Sequence, residues 1–103
     1  IRDRRRVVTG LNASGKSVVV IDSPPGRILG TDTSGLAELW NTDSAAVNRR
    51  DTSDRADIDV VLSPVEAGSK CRFFAIAPRD PSLTQAELEA RVADRFEAMG
   101  AAH

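Results

Sequence analysis

The chain has 103 residues, 41% of them hydrophobic and 28% charged, with a net charge of −1, which suits one small globular domain or part of one. The near-balanced charge gives no bulk attraction to nucleic acid or to an acidic membrane, the longest apolar runs are too short to span a bilayer as a helix, and no secretory signal is visible. A cytoplasmic protein with neither a nucleic-acid nor a membrane partner is expected, and the single cysteine, Cys71, excludes an internal disulfide.

Arg2, Arg4, Arg5 and Arg6 make the start of the chain basic. A solvated arm is the plain reading and a phosphate-binding arm the alternative, weakened by the lack of any aromatic residue among them. Gly10-Leu11-Asn12-Ala13-Ser14-Gly15-Lys16-Ser17 then matches G-x-x-x-x-G-K-[ST], the phosphate-binding loop of nucleotide hydrolases. That loop works only where it opens a helix, whose free N–H groups hold the phosphates. Here Val18-Val19-Val20-Ile21 follows, four β-branched residues that favour a strand. Arg6-Val7-Val8-Thr9 also reads as extended, so residues 4–22 are expected to form a hairpin turning at Asn12, Ser14 and Gly15. Asp22, the one candidate for a magnesium-binding acid, follows Lys16 too closely for an intervening helix.

Ser23-Pro24-Pro25-Gly26 is a strong break. Arg27–Gly30 is a brief apolar step, and Thr31 to Gly35 is turn-like. A strand is expected near 35–41, and residues 42–57, rich in mixed charge, as a flexible surface loop. Further strands are expected near 58–62 and 70–77, the latter covered on both faces with Cys71 as a buried small hydrophobe. Thr84 and Glu87 form a capping box for a helix over 84–99, Leu83 and Leu88 a hydrophobic staple, and Gly100 a left-handed stop. Glu87 and Arg91 are spaced for an ion pair. Leu88, Val92, Phe96 and Met99 make an apolar stripe that is expected to dock on the sheet. Strands followed by one late helix indicate a mainly β fold.

Chemistry-bearing residues are sparse. The only histidine, His103, ends the chain, and no His/Cys/Asp/Glu cluster has metal-ligand spacing. Asp22, Asp32 and Asp43 lie near turns, where Asp commonly caps locally. No Gly-x-Ser-x-Gly elbow exists, and Cys71 has no base unless His103 folds back onto it. No catalytic or metal residue is assigned. The aromatic residues Trp40, Phe73 and Phe74 are the candidates for lining a substrate pocket.

Several short motifs, in order, carry a resemblance. They are Arg5-Arg6-Val7-Val8-Thr9-Gly10, Gly15-Lys16-Ser17-Val18-Val19, Asp22-Ser23-Pro24-Pro25, Ala37-Glu38-Leu39-Trp40-Asn41-Thr42, Phe73-Phe74-Ala75-Ile76-Ala77-Pro78 and Phe96-Glu97-Ala98-Met99-Gly100-Ala101-Ala102-His103. Together they resemble the N-terminal portion of small cupin-domain proteins. The resemblance implies part of a jelly-roll β-barrel with one C-terminal α-helix and a homodimer. It also implies a role in small-molecule metabolism, with the active pocket largely outside these residues. A divalent metal would belong to a complete cupin domain, and no cofactor is expected within this chain. The start at Ile1 and the end just past a helix terminator fit that expectation of missing residues. Two other readings stay open beside it: a nucleotide-binding module using Gly10–Ser17, and a structural or interaction domain using the basic arm and the 42–57 loop.

Overall fold

β1 (Arg6–Leu11) and β2 (Ser17–Ser23) pair antiparallel in the computed structural model, which describes residues 1–31, 33–46 and 51–100. Asn12 closes the turn between them. Its backbone N–H donates to Lys16 O at 2.9 Å, and its Oδ1 accepts from the N–H groups of Ser14 (2.9 Å) and Lys16 (3.0 Å). Gly15 takes φ +75°, which a side chain would resist. Ser17 therefore opens a strand at the point where a phosphate loop would need a helix. A bulge between Val8 and Thr9 shifts the register, so that Arg6, Val8 and Gly10 oppose Ser23, Ile21 and Val18 on the more enclosed face.

The second sheet has the order β3-β4-β5, all antiparallel: β3 (Arg27–Gly30), β4 (Gly35–Thr42) and β5 (Ser69–Ala75). The short apolar step at 27–30 is thus a strand, paired to the first half of β4. The two sheets share no strand pairing and close no barrel among the described residues. The chain is mainly β with one helix, α1 (Gln85–Ala98). Its radius of gyration, 16.6 Å, exceeds the roughly 13 Å of a compact chain of this length.

Three expectations are corrected. Residues 58–62 form no strand. Their backbone groups are claimed elsewhere: the carbonyls of Val61 and Leu62 accept from Arg72 Nη2 (2.9 Å) and Nη1 (3.0 Å), and Leu62 N–H donates to Met99 O (3.2 Å). Residues 51–57, expected within a flexible loop, are tied down at several points, and residues 47–50 of that expectation lie outside the described ones. Ala56 is fully buried because Gly26 lies beneath it, where a Cβ would stand 2.5 Å from Ala56 Cβ. Residues 51–62 thus form a strap over the face of the second sheet that carries Glu38 and Arg72. Cys71 is exposed on β5, on the other side of the pleat from Arg72.

The capping box of α1 is complete. Thr84 Oγ1 accepts from Glu87 N–H at 3.2 Å, and Glu87 Oε2 accepts from Thr84 N–H at 2.8 Å, which turns Glu87 toward the cap. Gly100 has φ +70°. The apolar stripe, however, docks only at Met99: no residue of α1 itself is buried, and Val92 and Phe96 are 53% and 40% exposed. The helix meets the rest of the chain through its C-terminal end, where Met99 is buried and Arg95 Nη1 donates to Ser34 Oγ at 2.8 Å.

Candidate functional site

Arg6 starts β1 in phase with Val8 and Gly10, so its side chain turns to the enclosed face of the hairpin, and the residue is buried. Its guanidinium grips Asp54 with two prongs, Nη1 to Oδ1 at 2.7 Å and Nη2 to Oδ2 at 2.6 Å. Nη1 also donates to Leu39 O of β4 (3.1 Å), and Nη2 to Ser23 Oγ of β2 (3.0 Å). The hydrogen bonds from Arg6 hold the Asp54 carboxyl below its ordinary pKa, and those to Asp54 raise that of Arg6. Asp54 Oδ1 also accepts from Ala56 N–H (2.9 Å), which fixes the strap locally.

Asn41 is the second organiser. It is buried on β4, donates from Nδ2 to Arg55 O (2.8 Å) and accepts Lys70 Nζ at Oδ1 (2.9 Å). Arg55 in turn reaches Asp43, Nη2 to Oδ2 at 3.2 Å.

Between these two anchors runs an open groove of about 650 Å³. The whole of β1 forms one wall, the Leu39–Thr42 half of β4 the other, and Asp51 and Arg55 of the strap reach its rim. The wall on β4 exists because β3 pairs only with Gly35–Glu38, leaving the second half of β4 uncovered on that edge. Trp40, the only tryptophan, stands in this half.

Of the three aromatic candidates, Trp40 lines the groove and the other two do not. Phe73 and Phe74 lie on β5, 46% and 59% exposed. Register places Phe74 opposite Leu36 and Phe73 opposite Ala37, on different faces of the sheet. The ring of Phe73 instead receives Arg4, whose Cζ lies 5.9 Å from its centroid. The basic arm is therefore engaged: Arg4 on Phe73, Arg5 in a two-pronged pair with Asp22 (2.9 and 2.7 Å), Arg6 on Asp54. Asp54 and Asn41 were not singled out by sequence, and Arg6 was read only as part of the basic arm; its inward phase with Val8 and Gly10 was the available signal.

Among the described residues no group of three His, Cys, Asp or Glu could hold a metal ion. His103 and Asp32 lie outside the described residues. No helix among the described residues is long and apolar enough to cross a membrane. No protein-family description, curated protein or solved structure matches this chain.

Proposed function

We propose that the groove between β1 and β4 binds a small, largely apolar, flat molecule, in a protein of cupin-like, jelly-roll type that serves small-molecule metabolism. The observation that carries this is a cavity of about 650 Å³ walled by the single tryptophan. Its volume falls within the roughly 300–1,000 Å³ of small-molecule sites, which are mostly apolar with a few polar groups. Nη1 and Nη2 of Arg6 are engaged by Leu39, Ser23 and Asp54, and Nδ2 of Asn41 by Arg55, while the buried Nε of Arg6 has no hydrogen-bond partner among the described residues; recognition falls chiefly to Trp40, Leu11 and Leu39, with Thr9 and Asp51 as polar contacts. Among the described residues the groove joins no nucleophile to a base, which favours binding over catalysis by these residues.

The test is ligand-observed NMR with a panel of small aromatic carboxylates, amines and phenols. Saturable binding that is lost in Trp40→Ala and kept in Phe74→Ser supports the reading. A panel without saturable binding, or hits indifferent to Trp40→Ala, rejects it. The nucleotide reading is less well supported, because Lys16 is exposed on a hairpin turn; ATP with Mg²⁺ added to the same sample is expected to give no saturable signal.

The same proposal includes a homodimer. Phe74, Ile76, Val92 and Phe96 are large apolar side chains left open, which isolated small domains tend to bury by association. Light scattering at twice the 11.0 kDa chain mass supports it, and a value at the chain mass rejects it.

A further inference from the structure

We propose that the Arg6–Asp54 pair is a clasp that sets the width of the groove, with the hairpin as the moving jaw. The two walls of the groove belong to different sheets that share no strand pairing, so ladder hydrogen bonds do not fix their separation. Covalently, the hairpin runs into the second sheet through Pro24-Pro25, after which Gly26 N–H is pinned to Glu38 O at 2.9 Å. Arg6 supplies the cross-tie. One guanidinium bonds its own hairpin at Ser23, the facing strand at Leu39 and the strap at Asp54. A forked pair constrains angle as well as distance, which a single-point contact does not. Its Arg6 side chain is 7% exposed, so water competes poorly for it.

Midway along, the strap is held by a different tie, Arg27 Nε to Asp57 Oδ1 at 2.8 Å, which does not touch the groove. This gives an internal control. Acrylamide quenching of Trp40 reads the opening directly and needs no ligand, so the clasp stands or falls separately from the binding proposal.

In Asp54→Asn, shown folded by circular dichroism, the quenching constant of Trp40 is expected to rise about two-fold, as local opening exposes the ring, while Arg27→Gln leaves it unchanged. An unchanged constant in Asp54→Asn, or an equal rise in both variants, overturns the proposal. Should Asp54→Asn fail to fold, Asp54→Glu keeps the charge and displaces the carboxylate by one methylene. A smaller rise in that variant supports the clasp, and no rise overturns it.

Discussion

Arg72 Nε stands 2.5 Å from Glu38 Oε1, yet the angle satisfies no hydrogen bond, and both oxygens of the fully buried Glu38 lack a hydrogen-bond partner among the described residues. Glu38 lies in a cross-strand row between Arg27 and Arg72. Arg27 turns outward to Asp57 and Asp59, which leaves Arg72 as the counter-charge. The other two nitrogens of Arg72 hold the strap over the pair.

Removing Arg72 therefore strands a buried carboxylate and frees the strap together. Arg72→Met is expected to cost about 3–5 kcal/mol, as for other buried pairs deprived of one partner. Glu38→Leu in the same chain should restore most of that loss, because two well-packed apolar residues often match a buried ion pair. Urea denaturation of the three variants measures both effects; equal losses in the single and double variants would refute the pairing.

Acid should loosen the strap through Asp54. Its pKa lies below the ordinary 3.8 in the folded chain, so the unfolded chain takes up the proton first as pH falls. The stabilisation is complete above the unfolded value and is lost as pH drops through the folded one, below 3.8. Asp54→Asn should flatten the acid limb of a stability–pH profile, and Asp22→Asn, whose partner Arg5 is exposed, should change it less. Parallel acid limbs for wild type and Asp54→Asn would count against this assignment.

Gly26 admits no side chain. A methyl group there would meet Ala56 Cβ at 2.5 Å and Ala56 O at 2.7 Å, both part of the strap. Gly26→Ala should destabilise by about 1–3 kcal/mol, the usual range for overpacking. Ala56→Gly added to it should recover only part, since the backbone clash remains. Thermal melts of both variants are the measurement.

Thr84→Ala should cost about 1 kcal/mol of helix stability. Because α1 meets the rest of the chain chiefly at its C-terminal end, the loss should appear as faster amide exchange at Glu87 and Leu88 and a weaker helical signal. The urea midpoint of the sheet should hardly move. A matching drop in that midpoint would show the helix to be coupled to the core.

What the sequence made legible was local. The β-branched run after Lys16, the Asn–Gly turn and the Thr84–Glu87 box each act within a few residues, and the mainly β plan follows from them. What escaped was set by side chains reaching across the chain. Residues 58–62 have strand-like composition, but Arg72, ten and eleven positions away, takes the carbonyls of Leu62 and Val61. Arg6 looks like one of a row of surface charges, and only its partner 48 positions on makes it internal. The groove followed the same rule. Trp40 was singled out, but its place in the groove depends on the bulge at Leu39, which sets it opposite Cys71, and on which half of β4 lacks a neighbour. Neither can be read from composition or periodicity.

The bend at Asn12 bears on how strings of letters are matched to chemistry. A search that accepts eight characters without asking what shape comes next would file this chain among ATP-driven machines. An asparagine amide folded over its own neighbours occupies the very N–H groups such a machine would offer to an anion, and the tyrosine-free, valine-rich ribbon beyond it has no coil end to present.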